Sequence, residues 1–112
     1  MAIGHAEPGE VIDIRPLGNR RADAVTTTLA KSDQLEIIRL ILPAGKDIPP
    51  HKVAGAITVQ CLEGRVEFQA HGKWQTLESG QMLYVAGNEP HAVKAIEPSS
   101  LLVTIQRPAK SA

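Results

Sequence analysis

Cysteine is nearly absent from this chain of 112 residues, where Cys61 is the only one. An intrachain disulfide is therefore impossible, and a cysteine-rich zinc module is ruled out. Aromatic residues are almost as scarce, with one Phe, one Trp and one Tyr, so the core has to be aliphatic. Neither sign of charge prevails: 12 Lys and Arg stand against 12 Asp and Glu, and the formal net charge is zero. A neutral chain without a basic block argues against nucleic acid or an anionic membrane surface held by counterion release. No apolar run approaches the roughly 20 residues that cross a bilayer. Met1 to Glu10 lacks the charged-then-apolar pattern of a secretion signal. No glycine-rich phosphate loop, Ser-His-Asp order or paired-carboxylate motif is present. These absences lead to an expectation of a cytoplasmic protein with neither nucleic-acid nor membrane partners.

Short bursts of Val, Ile, Leu and Thr are what the sequence does contain, and Gly or Pro punctuates them at the spacing of an all-β sandwich or barrel. No segment holds an apolar helical face over three turns, so helices should be few. The expected strands are Ala24 to Ala30, Gln34 to Leu42, Ala56 to Leu62, Arg65 to Gln69, Lys73 to Leu77, Gln81 to Val85, His91 to Ile96 and Leu101 to Ile105, with a short one at Val11 to Ile14. The pair Pro49-Pro50 stiffens a stretch where no ladder donor is required. Glu63-Gly64, His71-Gly72 and Ser79-Gly80 read as turns. Trp74 and Tyr84 read as sheet-packing aromatics, and Glu63, Arg65, Glu67 and Lys73 as a solvated hairpin face. Cys61, on a central strand without a basic neighbour, reads as a buried inert thiol. Residues 1–20 are expected to be a loosely ordered N-terminal segment, 21–107 the single domain and 108–112 a tail.

His51 follows the rigid Ile48-Pro49-Pro50 stretch, and His91 follows Asn88-Glu89-Pro90; each stands where a turn hands over to a strand. Alone, either is most simply a loop histidine. Together they fall into a frame. Gly45 to Gly64 (GKDIPPHKVAGAITVQCLEG) resembles the first cupin motif, with Gly45, His51 and Gly64 in register. Gly80 to Ala95 (GQMLYVAGNEPHAVKA) resembles the second, with Gly80 and His91 matching. Ala86 takes the place of that motif's proline and Asn88 that of its glycine, a mild change because Asn tolerates the left-handed backbone. The resemblance spans Leu35 to Ile105. It implies a small single-domain cupin, a jelly-roll β-barrel of two antiparallel sheets.

The resemblance also implies a divalent metal held by two histidines and a glutamate of the first motif and the histidine of the second. His51 and His91 are kept, but Val53 occupies the second histidine position and the glutamate falls at Ala56, Ile57 or Thr58. Two imidazoles remain where transition metals take three or four protein ligands, with Gln60 as the one candidate replacement; His71 on its turn and His5 near the N-terminus should not reach. Any metal should then be a weakly held divalent transition metal. With the ligands lost, Val53, Ile57 and Val59, with Cys61, Met82 and Val93 as candidate neighbours, would wall an aliphatic cavity whose polar features are His51 and His91. Such walls describe a small-molecule site; the alternative is a barrel packed solid. The expected function is small-ligand binding without a tight metal. Its alternatives are a metal-dependent enzyme of dioxygenase, isomerase or decarboxylase type at His51, His91 and Gln60, and metal-free acid–base chemistry by the two histidines. Leu101 to Ile105 is apolar on both faces, and its second face calls for a flanking segment or another subunit; the expectation is a homodimer made by strands at the N-terminal end or by Leu101 to Ile105.

Overall fold

The computed structural model describes residues 5–108, apart from the side chains of residues 21 and 22. The expected 1–20 segment and 108–112 tail therefore lie partly outside the described residues. Nine strands follow in order: β1 (Thr27–Lys31), β2 (Leu35–Leu42), β3 (Asp47–His51), β4 (Ile57–Glu63), β5 (Arg65–Ala70), β6 (Lys73–Glu78), β7 (Met82–Val85), β8 (His91–Ala95) and β9 (Ser99–Gln106). One 3-10 turn, Gly18–Asp23, is the only helical element among the described residues, and no helix there is long and apolar enough to cross a membrane.

All strand pairs are antiparallel. They form a five-stranded sheet in the order β1-β2-β9-β4-β7 and a four-stranded sheet in the order β3-β8-β5-β6. This is the two-sheet jelly roll. Strand alternation assigns the faces. On β4, Ile57, Val59 and Cys61 are buried between the sheets, and on β5, Val66 and Phe68 meet them from the opposite side. Leu101 of β9 is fully buried in the same core. The β5–β6 hairpin turns through His71 and Gly72, both left-handed with φ of 52° and 81°. That is the pair of conformations a two-residue primed turn demands, which is why glycine stands second.

Three details depart from the sequence expectations. Asp47–His51 is a strand, an edge one. Its register against β8 slips between Ile48 and His51, where Pro49 and Pro50 have no N–H to offer. Val11 to Ile14 is not a strand: Val11 is 97% exposed, and the backbone N–H and guanidinium of Arg15 bond the Asp13 carboxylate instead of a neighbouring strand. Glu63 is not on a solvated face but 7% exposed. A bulge in β4 opposite β9 sets Cys61 against Leu101 but Glu63 against Ser100, so one extra residue swings Glu63 to the outer face of the five-stranded sheet.

There Glu63 ties down the N-terminal segment. Its carboxylate accepts the backbone N–H groups of Leu17 at 2.8 Å and Gly18 at 3.1 Å. Arg39, buried on the outer face of β2, lies 3.5 Å from the same carboxylate and donates to Ser100 Oγ at 2.8 Å and to the Arg15 carbonyl at 2.7 Å. Farther along, Ala6 N–H bonds the Leu29 carbonyl at the β1 edge. From residue 5 onward the segment is a strap across part of that sheet.

Candidate functional site

A cavity of about 230 Å³ lies between the sheets at the end where β3 and β8 meet. The five-stranded sheet supplies Ile38 and Leu40 of β2, Ile57 and Val59 of β4, and Leu101, Val103 and Ile105 of β9. The other sheet supplies Ile48, Phe68 and Val93, and Val53 comes from the loop after β3. Thr26, His51 and His91 are the only polar residues in the lining. Larger clefts of about 630 and 610 Å³ lie on the outside, one beside Asp33, Glu36 and Arg107, the other beside Val25 and Pro43; neither gathers histidines.

The histidines are neighbours because His51 and His91 are register partners across β3 and β8. Their rings meet edge to face, with centroids 4.3 Å apart and planes at 62°. Phe68 stacks on His91, 5.9 Å away and within 9° of parallel. His91 is buried and His51 sits exposed at the rim. His91 Nδ1 is 3.0 Å from the Glu89 carbonyl and His51 Nδ1 is 3.2 Å from that of Pro49. A carbonyl can only accept, so in each neutral ring Nδ1 carries the proton and Nε2 the lone pair. Burial pushes the His91 imidazole below its ordinary range, and the neighbouring His51 acts the same way against the raising effect of the Glu89 carbonyl. His91 is thus held neutral at physiological pH.

The loop before β8 that delivers His91 is clamped. Asn88, left-handed with φ of 61°, donates its N–H to the Val53 carbonyl at 2.8 Å. His71, on the β5–β6 turn, donates its backbone N–H to Glu89 Oε2 at 3.2 Å, and its ring lies 3.5 Å from Glu89 Oε1. His71 Nε2 accepts the Ala86 N–H at 3.2 Å. His71 does not reach the cavity, yet it grips the loop that His91 terminates.

The cupin-domain family model matches residues 38–105, which hold every cavity-lining residue except Thr26, both histidines included. The chain belongs to the cupin family. Solved structures repeat the fold. A conserved protein of unknown function from Streptococcus pyogenes is 23% identical, with a TM-score of 0.75, and the match covers 98% of this chain and 97% of that one. A cupin superfamily protein from Desulfitobacterium hafniense is 17% identical, also with a TM-score of 0.75, over 92% of this chain and 100% of that one. The DMSP lyase DddQ from Ruegeria pomeroyi is 23% identical with a TM-score of 0.70, but the match covers 79% of this chain and only 49% of that one. No curated protein sequence matches the chain.

Of the residues expected to line this cupin's pocket, the fold brings His51, Val53, Ile57, Val59, His91 and Val93 together around the cavity. Cys61 shares the inward face of β4 but lies deeper in the core. Its thiol donates to the carbonyls of Glu63 and Gly64, and burial pushes its ionisation up. Met82 is not in the pocket: Leu83 and Val85 are the more buried residues of β7, and Met82, between turn and sheet edge, is 61% exposed. Gln60 fails for the same reason. It lies between Val59 and Cys61, so alternation points it to the outer face, beside Met82 and Leu102. Sequence reasoning missed Thr26, which precedes β1, and the strand residues Ile38, Leu40, Ile48, Phe68, Leu101, Val103 and Ile105, which face inward from their strands.

A cupin metal centre does not fit this donor set. Val53 lines the cavity where a histidine would stand. Ile57, alone of the three candidate glutamate positions, lines it as well. Among the described residues no group of three His, Cys, Asp or Glu side chains converges to hold an ion.

Proposed function

We propose that this cupin binds a small organic molecule in the cavity between its sheets, with His51 and His91 as its polar contacts and no tightly held metal. The observation that carries this reading is the lining itself: apolar side chains from both sheets converge with two adjacent imidazoles, the composition of a small-molecule site. The fold does not choose between binding and catalysis, since one scaffold hosts many activities. A metal-dependent reaction at a reduced His51/His91 site is the second reading, favoured by the two rings meeting across one strand pair. Elemental analysis of untagged protein by inductively coupled plasma mass spectrometry separates the two. Substoichiometric metal that a weak chelator removes is the expected result. Near one metal per chain, lost in both His51→Ala and His91→Ala, would transfer the assignment to the enzyme.

The same reading includes a homodimer. Met82 and Tyr84 stand exposed on the outer face of β7, beside the half-buried Thr58, Gln60, Leu102 and Thr104. None of these side chains is charged, so the face can oppose a copy of itself without repulsion.

A further inference from the structure

The cavity holds few polar groups, and its two imidazoles present acceptors. Each histidine has committed its Nδ1–H to a backbone carbonyl, and neither Nε2 has a partner among the described residues. Among the described residues no buried side-chain nitrogen or oxygen lacks a hydrogen bond. The Nε2 of the buried His91 must therefore open on the cavity rather than on packed core. His91 thus offers one lone pair to the site, and His51 brings a second imidazole to its rim. Among the described residues no Lys or Arg lines it, and the one hydroxyl there, Thr26 Oγ1, accepts the Ile41 N–H and keeps a single O–H to donate. Size sets a second limit: an apolar cavity of about 150 Å³ holds one benzene, so about 230 Å³ holds one ring with a short substituent.

We infer that the cavity selects a compact, uncharged molecule, one ring or a short alkyl chain, carrying a single O–H that donates to the Nε2 of one of the two imidazoles, His91 or His51. This rests on the ligand-binding reading above and deepens it. A carboxylate would set its lone pairs against those of the imidazoles with no cation to offset them. A hydrocarbon would fill the walls but strip water from Nε2 without replacing its hydrogen bond. The lowered basicity of His91 acts in the same direction, keeping its lone pair available.

The test is a titration of the full chain, labelled with nitrogen-15, at pH 7.5 with four probes of one shape: p-cresol, 4-methylanisole, toluene and p-toluate. The imidazole and cavity-methyl resonances are followed. Leaving a buried acceptor unpaired is expected to weaken the donor-free probes by about tenfold relative to p-cresol, and p-cresol alone should shift the His91 Nε2 resonance as a hydrogen-bonded acceptor. A preference for p-cresol over both donor-free probes below about fivefold, or p-toluate binding as tightly as p-cresol, overturns the hydroxyl assignment and leaves the cavity reading standing. If no probe shifts any cavity resonance, the ligand-binding reading fails and takes this inference with it. His51→Phe, at the exposed rim where folding is least at risk, should reduce the preference for p-cresol over toluene; an unchanged preference would remove His51 from the assignment.

Discussion

Replacing Glu63 by glutamine is the sharpest probe of how the strap is held. The carboxylate serves two backbone N–H groups and faces the Arg39 guanidinium at 3.5 Å. An amide keeps one oxygen and turns its NH2 toward a donor whichever way it flips, so it loses either the Gly18 N–H or both the Leu17 N–H and Arg39. Stripping a buried charge of its counter-ion costs about 3–5 kcal/mol when nothing compensates. Here Arg39 keeps Ser100 Oγ and the Arg15 carbonyl, and 3.5 Å is longer than a charge-assisted hydrogen bond. The guanidinium share therefore falls to about 1–2 kcal/mol. A backbone N–H deprived of its charged acceptor adds about 1 kcal/mol. The sum of about 2–3 kcal/mol corresponds to a Tm lowered by about 10 °C in a domain of this size. Calorimetry gives the global number, and amide exchange gives the local one: Leu17 and Gly18 should lose protection before the sheets do. The double variant Arg39→Met/Glu63→Gln should be less destabilised than the two single changes added, by about 1 kcal/mol or more. A Glu63→Gln loss below about 0.5 kcal/mol, or unaltered exchange at Leu17 and Gly18, would refute the account of the strap.

His91 titrates below its ordinary range in the folded barrel, so the unfolded chain binds the proton more readily. Stability should be level above about pH 6.5 and decline as pH falls below it; thermal melts from pH 7.5 to 5 test this, and an equal slope in His91→Phe would contradict it. His71→Asn keeps the left-handed turn but removes the ring that grips Ala86 and Glu89. It should cost about 1–2 kcal/mol and speed exchange at the Ala86 amide, and an unchanged Ala86 rate would show that the clamp does not restrain the loop. Tyr84→Arg sets like charges face to face in the proposed dimer and should convert it to monomer in light scattering. A monomeric wild-type protein, or a variant still dimeric, defeats that interface.

Much of the site was legible in the order of residues. The two histidines stood out by their turn-to-strand positions and the strand between them by its aliphatic run, but the pairing of the histidines and the left-handed Asn88 followed from the resemblance to the cupin motifs. Gln60 and Met82 could have been excluded by spacing alone. Once Ile57, Val59 and Cys61 are assigned inward, period-two alternation sends Gln60 outward, and Val85 does the same to Met82. Glu63 could not have been placed this way. Its position depends on a bulge, which breaks alternation and leaves no composition signal beyond an ordinary-looking Leu62-Glu63. His71 was read by its turn, correctly, but its partner Glu89 comes from a distant loop that only the closed barrel brings near. Trp74 and Tyr84, expected to pack, are 52% and 66% exposed. Both sit on the edge strands β6 and β7, where one flank has no neighbouring side chains.

The position of β9 has a consequence for synthesis. It is the last strand of the barrel in sequence, yet it lies in the middle of its sheet, between β2 and β4. Until it leaves the ribosome, those two strands have nothing between them. Leu101 is missing from the core, and each holds out a bare apolar edge to any other extended chain. The four strands of the opposite sheet lie within Asp47–Ala95 and can pair earlier. The closing step joins strands far apart in sequence, the arrangement that folds slowly. The time between translating β4 and docking β9 is the interval in which a nascent chain of this kind depends most on chaperones.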